Sequence, residues 1–392
     1  MIPLMKSAFL KEQETKKRLS EFILHTGRLS MGEQCAEFEK EFSAFQGADE
    51  AVLFNSGASA NLAMIQASKN LGLLKDGDKV GFSALTWATN VMPLIQLGLE
   101  PIPIDCWPRT LNVMSHNLVE RLAKVEIQGL FITNALGFAG DLDAIKQICE
   151  ERNIFFIEDN CEALGTELNT GMTGSFGVMA SFSFYVAHHM STIEGGMVCT
   201  SDSELAEMLR IVRANGWDRN LNKNQKEKWR TKYLLSDFDA KYTFYDLAYN
   251  LRPTEITGFL GCCQLKYLKD AIAIREDNYI VLEAAVENNS DLVELDRSHI
   301  SFLSNFAFPV LCRSPEIRDK YIARFIDSDI EVRPMIAGNI QKQPFYRRYI
   351  AESYSLSGAN KIHECGFYCG NYPELTEIDI KIIRNCLDGG GK

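Results

Sequence analysis

Between Ser181 and Gly196 the chain reads SFSFYVAHHMSTIEGG, which gathers hydroxyls, two adjacent imidazoles (His188 and His189), a carboxylate (Glu194) and a glycine pair. Imidazole titrates near neutral pH, so a histidine here can take up and release a proton during turnover. The plainer reading is a structural histidine. A His-His pair also raises the question of a metal, but no nearby carboxylate has ordinary ligand spacing, and no metal is expected. If this stretch is extended, adjacent side chains face opposite ways, which makes His189 a structural or substrate-contact neighbour of His188.

Two other clusters could do chemistry. Asn55-Ser56-Gly57-Ala58-Ser59-Ala60-Asn61 is a turn of small residues between a buried strand and a helix. Free backbone N–H groups at such a helix start favour a phosphate, and Gly57 and Ala58 let it come close. Many strand-to-helix turns look like this without binding anything. Glu158-Asp159-Asn160-Cys161-Glu162 follows the apolar run IFFI. Carboxylates at the C-terminal end of a strand lie where α/β sheets bind ligands, and one hydrogen-bonded to a heteroaromatic nitrogen would keep that nitrogen protonated. A solvated acidic turn explains the same residues.

The elements that must carry these clusters are legible as alternation. EAVLFNS, DKVGFSAL, EPIPIDC, GLFITNALG, IFFIEDN, MASFSF and GGMVCT are strand candidates separated by helical patterns. Runs apolar on both faces, such as GLFIT and IFFIE, belong in a mainly parallel sheet covered by helices. A helix is expected from Ala58 to Leu71, with Gly72 as its stop. The polar, basic run LNKNQKEKWR (221–230) reads as a solvated loop or exposed helix. After Tyr249 comes a long helical segment, TEITGFLGCCQLKYLKDAIAIREDNYIVLEAAVE, and then the strand candidates SNFAFPVLC and IEVRPM. The expected division is a large α/β domain over residues 1–250 and a smaller C-terminal α+β domain over 251–392, ending in a frayed GGGK.

With 392 residues, 46% hydrophobic and 24% charged, the chain can bury a full core. No run approaches a membrane span and the opening residues do not form a secretory leader, so the cytoplasm is the expected compartment. Eleven scattered cysteines without a CxxC pair resemble neither a secreted disulfide framework nor a compact zinc or iron–sulfur signature. A net charge of −11 disfavours nucleic acid in general and leaves room for a small anion held locally.

Taken in order, SMGEQCAEFEKEF, NSGASAN, TWATN, EDNCEALG, FSFYVAHHMSTIEGG, NGWDRN, YNLRPTEITG and VRPMIAGN resemble the sugar-aminotransferase (DegT-type) branch of the fold-type-I pyridoxal-phosphate (PLP) enzymes, across nearly the whole chain. The resemblance implies the aspartate-aminotransferase fold, with PLP or pyridoxamine phosphate (PMP) as cofactor. It implies backbone contacts from Gly57 and Ala58 to the cofactor phosphate, Trp87 stacked on the ring, Asp159 on the ring nitrogen and Ser183 on the phosphate. Asn250 would reach the site of a neighbouring subunit, making a homodimer with shared sites. Ala58 lacks the hydroxyl often found there, and Glu162 falls where many aminotransferases have glutamine, as a further cofactor neighbour. The larger departure is His188, six residues before Glu194, where the family's Schiff-base lysine should stand. Imidazole forms no stable Schiff base, so the cofactor would be held non-covalently, with His188 moving the proton between an amino donor and the cofactor.

This lysine-to-histidine subgroup implies a glutamate-using enzyme of deoxy- or amino-sugar (lipopolysaccharide or O-antigen) biosynthesis. The favoured reading is a 3-dehydratase of a nucleotide-linked 4-keto-6-deoxy sugar. The rival is a sugar aminotransferase without the lysine, acting on a nucleotide keto-sugar or an 8-oxo octulosonate. A non-enzymatic binding module is a third class, which 2-oxoglutarate formation from glutamate would eliminate. For a nucleotide diphosphate, Arg213, Arg219, Arg252 and the 223–232 run are candidate contacts.

Overall fold

A computed structural model describes residues 1–388, so the GGGK tail lies outside the described residues. All seven early strand candidates form strands of one sheet: β1 (Glu50–Phe54), β2 (Lys79–Ser83), β3 (Glu100–Ile104), β4 (Gly129–Thr133), β5 (Phe155–Asp159), β6 (Met179–Ser183) and β7 (Gly196–Thr200). Their order is β1-β7-β6-β5-β4-β2-β3, and β7 alone runs antiparallel to both of its neighbours. β4, β6 and β7 are buried along their whole length because helices cover both faces.

Register decides where the chemistry sits. Thr133 pairs with Asp159 and Asp159 with Ser181, which brings the carboxyl ends of β4, β5 and β6 level at one edge of the sheet. The helix after β1 runs Gly57–Asn70 and aims its N-terminus at that edge. Ser56 caps it, its hydroxyl accepting from Ser59 N at 3.1 Å, and Gly72, at φ +74°, ends it. The basic run after Leu221 is a helix, Lys223–Lys232, with only Trp229 buried.

The later strand candidates form a second sheet. β8 (Ala307–Leu311) and β9 (Val332–Pro334) flank β10 (Gly366–Gly370), all antiparallel. β10 has too many glycines to read as a strand. Its core includes Phe308, Val310, Phe325 and Phe367. The long helix Glu255–Glu287 joins the two regions, packing on the helix Glu33–Gln46 near its start and on Glu377–Leu387 further along. The first contact is close: a Cβ on Gly258 would stand 2.4 Å from Cys35 N, and one on Gly261 2.3 Å from the Phe38 ring. The Glu255 carboxylate accepts from the N–H groups of Gly32 (2.7 Å), Gln34 (3.0 Å) and Cys35 (3.2 Å), and so caps the helix Glu33–Gln46 from outside. Residues 1–10 lie on the C-terminal region: Ile2 bridges Ile330, and Leu4 N donates to Glu331.

Candidate active site

At the carboxyl edge of the large sheet lies a cavity of about 500 Å³, lined by the first residues of the helix Gly57–Asn70, the ends of β4, β5 and β6, the loop after β6, and Phe306 and Tyr368 from the C-terminal region. Seven of the expected residues meet here: Gly57, Ala58, Trp87, Asp159, Glu162, Ser183 and His188. With Ser59 N satisfied by the cap, the N–H groups of Gly57 and Ala58 precede the helix's own hydrogen bonding and remain available to a ligand. A Cβ on Gly57 would lie 2.6 Å from Ser183 Cβ, so only glycine lets the helix end and the serine form one cradle.

Asp159 is set for use. Its Oδ2 accepts from the side-chain amides of Asn61 (2.9 Å) and Asn90 (2.7 Å), and Oδ1 from Cys161 N (2.9 Å). These neutral donors fix the carboxylate without cancelling its charge, as recognition of a cationic ring nitrogen requires. Glu158, one residue earlier, points to the opposite face of the strand. It is fully buried and takes hydrogen bonds from Asn134, Gly174, Phe176 and Gly177, a structural role.

Glu162 rests one oxygen on Leu136 N at 2.8 Å. Burial pushes its pKa up to about 8, against the pull of that N–H, and the neighbouring Asp159 adds to the rise. A carboxyl whose folded pKa is raised stabilises the fold fully below its unfolded value and loses that contribution as pH climbs to its folded value. The cofactor-free protein should therefore lose thermal stability between about pH 5 and about pH 8. Glu162→Gln should flatten that loss, and unfolding midpoints at several pH values, wild type against variant, check it.

His188 lines the cavity on a turn rather than an extended strand, since His188 N donates to Tyr185 O at 2.9 Å. The turn, not strand alternation, is what separates the two imidazoles. His188 Nδ1 lies 3.4 Å from the Ser183 carbonyl, which can only accept, so this contact favours the proton on Nδ1 and leaves Nε2 free. Burial lowers its pKa, only partly offset by the Ser183 carbonyl and Asp159, with Arg275 lowering it further. His189 is buried, donates from Nε2 to Ser304 O at 3.1 Å and is absent from the cavity wall, which gives it the structural place of the two expected for it and not that of a substrate contact.

Four other expected contacts also lie off the cavity. Arg213 is buried against Glu39 and the Leu53 carbonyl, an internal ion pair that leaves no guanidinium for a diphosphate. Arg219 is exposed, 3.9 Å above the Trp217 ring. Asn250 and Arg252 are exposed and bonded to one another at 3.0 Å. Ser56, Thr89, Thr133, Cys161, Tyr185, Ala187, Phe306 and Tyr368 complete the wall without having been singled out. Asn61 and Thr89 sit in the motifs NSGASAN and TWATN, which offered a signal, whereas nothing in sequence tied Phe306 or Tyr368 to a site 100 or more residues away.

Residues 10–388 match the model of the DegT/DnrJ/EryC1/StrS aminotransferase family. The chain belongs to that family. Among curated proteins it is 32% identical over 371 residues to GDP-4-keto-6-deoxy-D-mannose 3-dehydratase of Yersinia pseudotuberculosis, covering 93% of each chain. Among solved structures, an E. coli GDP-4-keto-6-deoxy-D-mannose 3-dehydratase with bound hydrated PLP superposes with TM-score 0.90 at 29% identity over 99% of both chains. A GDP-4-keto-6-deoxymannose 3-dehydratase with a trapped PLP-glutamate geminal diamine superposes at 0.89 with 29% identity, covering 99% of this chain and 100% of the other. The fold of this family member is thus the PLP fold-type-I architecture, with its large, mainly parallel sheet. Among the described residues no group of three or more His, Cys, Asp or Glu side chains could hold a metal ion, and no helix is long and apolar enough to cross a membrane. The cysteines are unpaired and mostly buried.

Proposed function

We propose that the chain is a PLP/PMP-dependent, glutamate-using 3-dehydratase of a nucleotide-linked 4-keto-6-deoxy sugar, serving deoxysugar biosynthesis of the lipopolysaccharide type. One observation carries this reading. Among the described residues the cavity wall holds His188 and no lysine, so the family's covalent anchor is replaced by a group that can only move protons.

The donor set fits the cofactor. Gly57 N–H, Ala58 N–H and the Ser183 hydroxyl would hold the phosphate, Asp159 the ring nitrogen and Trp87 the ring face, while Glu162 stands beside them. The cavity volume is that of a cofactor pocket with room for a sugar. When bound, the cofactor supplies an electron sink that makes the carbon beside it acidic. His188, its imidazole kept neutral by burial, would hold that proton on Nε2. Phe306 and Tyr368 close the cavity from the C-terminal side and keep water off the reacting atoms.

A homodimer completes the reading. Support comes from Asn250, exposed and not on the wall of its own cavity, and from the exposed Phe238, Tyr242, Phe244 and Leu247 on the same stretch of chain, an apolar surface that a second copy would cover. Arg219 and Arg252 on the same stretch would then reach the neighbour's substrate. The unpaired cysteines support a reducing, cytoplasmic setting.

The deciding experiment follows nitrogen-labelled glutamate through purified protein with PLP and a panel of nucleotide keto-sugars. Labelled ammonia together with a sugar lacking one oxygen is the expected result. Label retained in an amino-sugar with every other hydroxyl intact would make the chain an aminotransferase, and no 2-oxoglutarate at all would make it a binding protein.

A further inference from the structure

Behind His188 lies a second, much smaller cavity of about 20 Å³, walled by Met5, Ser7 to Leu10, His188 to Ser191, Arg275 and Tyr372 to Glu374. Arg275 is buried, an expensive place for a guanidinium, and among the described residues no carboxylate is bonded to it, Glu374 acting on it only through space. Its Nη1 donates to the carbonyls of Phe306 (3.2 Å) and Asn371, and Asn371 returns a bond to the Arg275 carbonyl at 2.9 Å. Phe306 in turn packs its ring on both imidazoles, 5.6 Å from His188 and 6.1 Å from His189. Two buried atoms have no protein partner, Nε of Arg275, a donor, and Nδ1 of His189. With Nε2–H committed to Ser304 O, the neutral His189 ring presents Nδ1 as an acceptor. The cavity between them has room for one water, which would accept from the arginine and donate to the histidine.

We propose that Arg275 is a positioning residue for catalysis, holding His188 in place through Phe306 and standing as a buried cation behind its imidazole. A cation placed behind the ring, on the side away from the reacting atoms, opposes a second positive charge on His188 without blocking the Nε2 lone pair. The groups facing His188 across the main cavity are Asp159, Glu162, Glu194, Tyr185 and Tyr368, of which Asp159 favours the protonated ring. From behind come His189, Arg275 and Glu374. Arg275 is the cation on that side, and burial gives its charge reach.

The inference rests on His188 as the proton carrier, so the test has one arm that needs no substrate. Titration of nitrogen-labelled histidine by NMR in wild type, Arg275→Gln and Arg275→Lys reads the His188 pKa directly. Arg275→Gln should raise it, and the acid limb of the kcat profile should move up with it while KM changes little. Arg275→Lys should keep the low pKa but lose several-fold in kcat, because the longer, planar guanidinium that brings Nη1 to both the Phe306 and Asn371 carbonyls is gone. An unmoved His188 titration in Arg275→Gln, whatever the melting temperature, overturns the electrostatic role. Should that variant fail to fold, wild-type kcat in Arg275→Lys overturns the positioning role. A shifted pKa in a protein that shows no turnover on any keto-sugar would instead separate this proposal from the dehydratase reading.

Discussion

Replacing His188 with alanine should lower turnover by roughly 10²–10⁴-fold, the usual worth of a positioned acid–base group. The cradle at Gly57, Ala58 and Ser183, the Asp159 carboxylate and Trp87 are untouched by the change, so PLP should still bind with near-wild-type affinity. The imidazole is the sole histidine on the cavity wall among the described residues, since His189 is committed to Ser304. Fluorescence titration with PLP, set beside 2-oxoglutarate release from glutamate, separates the two quantities. Normal turnover in the variant would remove His188 from the mechanism.

Asp159→Asn tests the other end of the cofactor site. The amide is nearly isosteric and can keep one contact with Asn61 or Asn90, but it cannot stabilise a protonated ring nitrogen. Loss of that one preorganised charge should lower turnover by about 10²–10³-fold, as removal of a comparable electrostatic group does elsewhere. Binding of PLP should weaken as well, which distinguishes this variant from His188→Ala. Unchanged PLP affinity and turnover would mean that the carboxylate serves the fold alone, as its neighbour Glu158 does.

Much of this was legible from residue order. The seven strands of the large sheet, the helix behind NSGASAN and the long helix after Tyr249 all follow from apolar runs and punctuation, which report local structure directly. Gly57, Asp159 and Ser183 were legible because each lies at the end of a strand or the start of a helix, where the fold presents ligands, and His188 because it stands in the motif FSFYVAHHMSTIEGG, six residues before Glu194. Three kinds of residue were not. Phe306 and Tyr368 reach the cavity from the second sheet by tertiary packing, which leaves no local pattern. Arg213 looked like a free cation until packing showed Glu39 against it. The turn at Tyr185–His188 could not be told from strand, because a single hydrogen bond sets it and the apolar pattern does not.

The carboxylate of Glu255 and the bridge from Ile2 to Ile330 bear on how the molecule is made. Contacts spanning more than 200 residues cannot form until the later partner has left the ribosome. The helix Glu33–Gln46 therefore waits, uncapped, for residue 255. Residues 1–10 wait longer still, for the strand near 330 and the turn at Tyr372–Glu374. The wall behind His188 is accordingly among the later parts of the molecule to be built, and a nascent chain stalled before residue 372 would carry the cofactor cradle without the backing that aims its histidine.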